Sequence, residues 1–233
     1  MSEPLPIVLI PGLLCTSELY GPQIPALWRF GPVMVADHTR DDSMAGIARR
    51  ILADAPPRFV LMGLSMGGYA ALEVMRQAPE RVARLGLIDT QAHPDTPEQS
   101  ERRRGQMALA REGRLMEVSD LLYPLMVAPE RHEDAALKAL WRRMAGDTGA
   151  DAFVRQQSAI MGRIDSRPSL AAITAPTLIV VGEQDALTPS DRAEVMAQGI
   201  QGARLVTIPR SGHLSPLEQP DAVTFTLTEW LGR

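Results

Sequence analysis

A chain of 233 residues, 45% apolar and 22% charged, is long enough for one sizeable core, and at that length folding buries roughly 70% of the surface the open chain exposes. A net charge of −4 offers no basic field for nucleic acid, and the single cysteine, Cys15, excludes an internal disulfide and a cysteine-based zinc site. No run approaches the ~18 continuous apolar residues of a membrane span, and the opening MSEPLPIVLIPGLL has an acid at Glu3 and no basic leader, so a cytoplasmic, reducing setting is expected.

Residues 7–10 form a short apolar run stopped by Pro11-Gly12, the pattern of a buried strand entering a tight loop. Residues 18–28, with Leu19, Ile24 and Leu27, suit a short helix interrupted by proline. A second strand is expected at 33–36, followed by the polar Asp37-His38-Thr39-Arg40. Ser43 can cap a helix carrying Met44, Ile47, Ile51 and Leu52, which stops before Pro56-Pro57. A strand at 59–62 then runs into Gly63-Leu64-Ser65-Met66-Gly67-Gly68. The buried helix after it carries Ala70, Ala71, Leu72, Val74 and Met75, and a further strand at 85–88 ends at Asp89.

Wholly apolar strands alternating with helices predict a parallel sheet covered on both faces. From 97 to 168 the pattern is helical only, and the alternation resumes with a strand at 177–181, a helix near 191–198, a strand at 205–208 and a last helix near 221–231. The expected organisation is an α/β core, residues 1–96 and 169–233, of about six mostly parallel strands, interrupted by an all-helical lid at 97–168. Arg102, Arg103 and Arg104 read as a solvated helix face. Met107, Met116, Met126, Met144 and Met161 read as packing between lid helices more readily than as an adaptable acyl pocket. Tyr20, Trp28 and Trp141 are assigned to packing, and Cys15 to a small buried apolar role.

Gly63-Leu64-Ser65-Met66-Gly67 fits G-x-S-x-G at a strand-to-helix junction, the context in which a strained turn lifts a serine hydroxyl clear of the sheet. Such a hydroxyl needs a base, and the base needs an orienting group. His213, just past the strand at 205–208, stands at the same sheet edge as Ser65; His38 also follows a strand and is the second candidate. The orienting acid should follow another strand at that edge, where both Asp185 and Asp89 qualify. Backbone N–H groups of Leu13 and Met66 are placed to receive an oxyanion.

With these residues assembled, the chain resembles the α/β-hydrolase fold superfamily over essentially its whole length. IVLIPGLL is similar to the oxyanion strand and loop, GLSMGG to the nucleophile elbow, VVGEQDALTP to the acid turn and SGHLSPLEQP to the histidine loop. The order Ser65, Asp185, His213 is the family's order. Pro11-Gly12 replaces the family's frequent His-Gly, and the two leading antiparallel strands are expected to be missing, as in small bacterial carboxylesterases and enzymes that cleave carrier-bound acyl esters. The resemblance implies hydrolysis of a small-molecule carboxylic ester or thioester through an acyl group on Ser65, with no metal and no cofactor. Leu14, Met126, Leu187 and Leu214 are expected to line the substrate pocket. A C–C bond hydrolase or lyase could use the same three residues, and a non-catalytic ligand receptor is the alternative from another class.

Overall fold

Short apolar strands must be covered on both faces, and the computed structural model, which describes residues 4–233, shows how this chain covers them. Strands β1 (Ile7–Ile10), β2 (Val33–Val35), β3 (Phe59–Leu64), β4 (Val82–Ile88), β5 (Thr177–Gly182) and β6 (Arg204–Ile208) form one parallel sheet in the order β2-β1-β3-β4-β5-β6. Alternate strand residues point to opposite faces. Leu9, Met62 and Val180 therefore join one core, and Val8, Leu61 and Ile179 the other.

Helices α1 (Ile24–Leu27) and α10 (Pro220–Leu231) lie on the first side. The second side is covered by α2 (Met44–Asp54), α3 (Met66–Gln77) and α8 (Ser190–Gly199). Ser43 caps α2 by accepting the Gly46 N–H at 3.2 Å. Between β4 and β5 the chain makes four helices, α4 (Pro97–Arg111), α5 (Leu115–Met126), α6 (Ala135–Thr148) and α7 (Ala150–Met161). Their apolar faces, including Val118, Trp141, Met144 and Phe153, continue the first core, so the inserted helices share a hydrophobic interior with the sheet. A short helix, α9 (Ser215–Glu218), precedes α10. No helix among the described residues is long and apolar enough to cross a membrane.

Three local readings change. The 18–28 stretch is a 3₁₀ turn at Ser17–Tyr20 followed by α1, with Pro25 in the helix's first turn, where its missing N–H costs nothing. Strand β4 starts at Val82, before the apolar run at 85–88, because Ala83 and Arg84 are only half buried. Trp28 is not packing: it is 63% exposed, whereas Tyr20 and Trp141 are fully buried and hydrogen-bonded to the carbonyls of Ile10 and Ser119.

Candidate active site

In an all-parallel sheet every strand delivers its following loop to the same edge, and ligands bind where the chain reverses its direction of winding. Here β1 is followed outward by β2, and β3 returns to the other side of β1. The loops after β1 and β3 are therefore neighbours at the switch point. Among the described residues, the non-glycine residues with positive φ are confined to this edge: Leu14 after β1 (59°), Ser65 after β3 (54°), Asp89 after β4 (43°) and Arg210 after β6 (52°). Each such conformation costs of order 1–3 kcal/mol and persists only where its surroundings enforce it.

The enforcement at Ser65 is steric. A Cβ on Gly63 would strike the carbonyl of Gly67, one on Gly67 would strike the carbonyl of Ile10, and one on Gly68 would strike the Thr90 side chain. The Ser65 N–H donates to the Ile88 carbonyl at 2.9 Å, and Thr90 Oγ1 donates to the Ser65 carbonyl at 2.7 Å. The serine's backbone is thus clamped from both sides at the N-cap of α3.

His213 follows β6 and is 1% exposed. Its Nδ1 stands 2.8 Å from Asp185 Oδ2, while Nε2, buried, has no hydrogen-bond partner among the described residues. Asp185 is fixed by its own turn: Oδ1 accepts the N–H groups of Leu187 (2.8 Å) and Thr188 (2.9 Å), and Oδ2 accepts Thr188 Oγ1 at 2.7 Å. Burial alone would raise the carboxyl's pKa, but the charge and hydrogen bond of His213, with those of Thr188, outweigh it and hold Asp185 below the usual range. Burial would depress His213, but Asp185 reverses the sign and its pKa lies above the ordinary value.

Asp89 occupies the neighbouring strand end with different partners. Its Oδ1 accepts the Gly182 N–H at 2.8 Å, and its Oδ2 accepts Ser215 Oγ at 2.6 Å and the Ser215 N–H at 3.2 Å. It makes no bond to His213, and complete burial with the nearby Asp185 charge pushes it up to about 8. His38 is likewise occupied elsewhere, donating from Nε2 to the Gly12 carbonyl at 3.0 Å, and burial lowers its pKa.

Neither the Leu13 nor the Met66 N–H has an acceptor among the described residues. The next N–H, of Leu14, donates to Gln156 Oε1 of α7 at 3.2 Å, which ties the strained β1 loop to the inserted helices. A second strut joins them to the histidine loop: Glu218 accepts the N–H groups of Ala128 (2.7 Å), Gly212 (3.0 Å) and Leu214 (3.2 Å). Thr188, Thr90, Gln156 and Glu218 escaped the sequence reading. Glu218 had a signal, since it lies within the SGHLSPLEQP segment; Gln156 had none, being one polar residue among many on a lid helix.

Ser65, His213 and Leu13 line one cavity of about 150 Å³ between the sheet edge and the inserted helices. Met126 and Leu187 line it as well. Leu14 and Leu214 do not: both are fully buried in the first core, because the strained turn at Leu14 directs its side chain inward. Met107 and Met144 are also buried away from this cavity. Cys15 is buried and its thiol pushed up to about 12, so it stays protonated. Among the described residues no cluster of three or more His, Cys, Asp or Glu is arranged to hold a metal ion.

Comparison with known proteins agrees with this fold. The chain is 29% identical over 188 residues to the pimeloyl-[acyl-carrier protein] methyl ester esterase of Nitrosomonas europaea, covering 77% of this chain and 74% of that one. A thermophilic esterase from Thermogutta terrifontis superposes with a TM-score of 0.90 at 29% identity, over 98% of this chain and 89% of the other. The enol-lactonase of Burkholderia xenovorans LB400 shares the fold with a TM-score of 0.89 at 24% identity, over 100% of this chain and 93% of its own. The model of the alpha/beta hydrolase family matches residues 7–224. A six-stranded parallel sheet with a clamped serine elbow and that match over nearly the whole chain lead to one conclusion: the protein belongs to the alpha/beta hydrolase family.

Proposed function

We propose that the protein is a serine hydrolase of carboxylic esters that works through an acyl-enzyme on Ser65. The observation that carries this reading is His213: Nδ1 is held by Asp185 at 2.8 Å, and Nε2 is left unpaired in a residue that shares a cavity with Ser65. An imidazole oriented in this way can accept the Ser65 proton at Nε2 as Oγ bonds to the ester carbonyl carbon. The carbonyl oxygen then gains negative charge, and the free N–H groups of Leu13 and Met66 suit it. Collapse breaks the ester C–O bond as His213 returns the proton to the leaving oxygen. Water, deprotonated by the same nitrogen, adds to the acyl carbon, releasing the acid and restoring Ser65. The likeness to a methyl ester esterase supports an ester in preference to other acyl derivatives.

A fluorophosphonate probe tests the nucleophile, and a chain-length series of p-nitrophenyl esters beside matched acyl thioesters tests the leaving group. Labelling of the folded protein that disappears in Ser65→Ala, with p-nitrophenolate release, is expected. A folded protein that resists the probe ends the Ser65 assignment. Labelling without turnover of any ester or thioester would transfer the site to C–C bond cleavage.

A further inference from the structure

Helix α4 turns Gln99, Arg102, Arg103 and Gln106 toward the cavity. Their spacing, i, i+3, i+4 and i+7, makes them one continuous face of the helix. The part of the wall that comes from α5 is apolar, with Leu122, Leu125 and Met126. A pocket for a plain hydrocarbon chain would have apolar residues on both walls. This one carries a polar, cationic stripe on one side.

The charge on that stripe is not neutralised locally. Arg103 and Arg163 share a single carboxylate, Asp95, each at 2.7 Å, and the side chains of Arg163 and Asp95 are 4% and 2% exposed. Two guanidinium groups and one carboxylate leave one formal positive charge beside the cavity. Burial would raise Asp95, but the hydrogen bonds and charges of the two arginines overcome it, so the carboxylate is ionised and its capacity is taken up. Arg102 adds a second positive charge and has no salt-bridge or hydrogen-bond partner among the described residues. The acids nearest to it on α4 are engaged elsewhere: Glu101 pairs with Arg104 at 2.8 Å, and Glu98 hydrogen-bonds Thr96. Among the described residues no Asp or Glu lines the cavity. Gln91 lines it too, only 7% exposed, and its side-chain amide finds no partner among the described residues. Positive charge without a counter-charge, beside an amide with no protein partner on the same wall, is an arrangement that an anion completes.

We infer that the cavity takes an acyl group whose far end is a carboxylate, bound by Arg102 and Gln91, so that the preferred substrates are half-esters of dicarboxylic acids. This rests on the ester-hydrolase reading of Ser65 and names its substrate class. The apolar wall receives the methylene chain, and the buried Arg103–Asp95–Arg163 cluster supplies a fixed positive field behind the polar wall. Arg102 acts as a specificity determinant, since it distinguishes substrates by their distal group and takes no part in bond cleavage.

The test compares the mono-p-nitrophenyl half-esters of glutaric, adipic and suberic acids with the same compounds methyl-capped at the free carboxyl. The readout is the ratio of kcat/KM for charged over capped ester, which cancels effects on folding and chemistry common to both. The ratio should exceed one for the unaltered enzyme at one or more chain lengths. A charge-assisted contact at an exposed arginine is expected to account for about a fivefold preference, lost in Arg102→Gln and inverted in Arg102→Glu. A ratio near one in the unaltered enzyme, or one that survives Arg102→Gln, overturns the inference and leaves the esterase reading standing. Calorimetric binding of the same ester pairs to Ser65→Ala separates the two ideas in the other direction. A charged-ester preference there, in a protein whose parent turns over neither ester, ends the esterase reading and sustains the anionic pocket; equal affinities end the pocket.

Discussion

Replacing Asp185 by asparagine would change the two hydrogen bonds at Oδ2, to His213 and Thr188, and preserve those at Oδ1. The asparagine carbonyl oxygen can keep the position of Oδ1 and still accept the N–H groups of Leu187 and Thr188, at 2.8 and 2.9 Å in the parent. The amide nitrogen then falls where Oδ2 stands, 2.8 Å from His213 Nδ1. An amide nitrogen only donates, so Nδ1 must become the acceptor and the imidazole proton moves to Nε2. In that tautomer Nε2 cannot take the Ser65 proton. Loss of orientation and of imidazolium stabilisation together is expected to lower kcat by about 10³–10⁴, about 4–5.5 kcal/mol at 1.36 kcal/mol per decade. Asp89→Asn touches only the contacts to Gly182 and Ser215 and should keep kcat within about tenfold, its main effect being on stability. Both variants would be assayed on one p-nitrophenyl ester alongside thermal melts. Loss of activity in Asp89→Asn equal to that in a folded Asp185→Asn would refute the assignment of the acid, and so would an Asp185→Asn enzyme retaining more than roughly a tenth of kcat.

Three further outcomes are expected. Because Asp185 lifts His213 above the ordinary value of about 6.5 and the base must be neutral, kcat/KM should fall as pH drops through a midpoint above that value. In Asp185→Asn burial is less opposed and the acid limb should move to lower pH; a limb that stays in place contradicts the pairing. Gln156→Leu leaves the buried Leu14 N–H without its acceptor, and a loosened oxyanion loop should lower kcat by about tenfold with little change in KM, so a pure KM effect would mean the loop serves binding alone. Glu218→Gln sets an NH₂ against at least one of three converging backbone N–H groups, a loss of about 1–3 kcal/mol, or about 3–10 °C in Tm for a chain of this size; an unchanged melt would show that the strut is dispensable.

The sheet is legible in the sequence because a parallel strand covered on both faces is a short apolar run between turn residues, as at Thr177–Gly182. The elbow is legible because its glycines answer to specific collisions, such as that of a Gly67 Cβ with the Ile10 carbonyl. The lid reads as helical, but what its helices face does not. Periodicity marks a buried stripe without saying whether core or cavity buries it, so Met126 and Met107 look alike in sequence although only Met126 reaches the cavity. The three arginines show the same ambiguity for charge. Arg102 and Arg104 are both exposed, as a solvated face requires, Arg104 paired with Glu101 and Arg102 at the rim of the cavity wall, whereas Arg103 is drawn inward by Asp95. The carboxylate that holds Arg103, Asp95, lies ahead of α4, and the Arg163 that shares it comes from beyond α7, far along the chain.

The two acids show most clearly what a strand end leaves unresolved. Asp89 and Asp185 each follow a buried parallel strand at the same edge, and local pattern ranks them almost equally. The residues next to each in the chain separate them. After Asp185 the turn offers Leu187 and Thr188, whose N–H and hydroxyl groups take Oδ1 and share Oδ2, so the carboxylate is charged, fixed and aimed at one imidazole nitrogen. After Asp89 the chain continues into Thr90, which clamps Ser65, and the carboxyl turns to the backbone of β5 and to Ser215. Two carboxylates this close in a buried site cannot both ionise cheaply. The charge settles on Asp185, where an imidazole and hydroxyl stabilise it, and Asp89 is displaced upward to about 8. The second acid then joins the ends of β4 and β5 to Ser215, two residues past His213, and leaves the imidazole Nδ1 to the first.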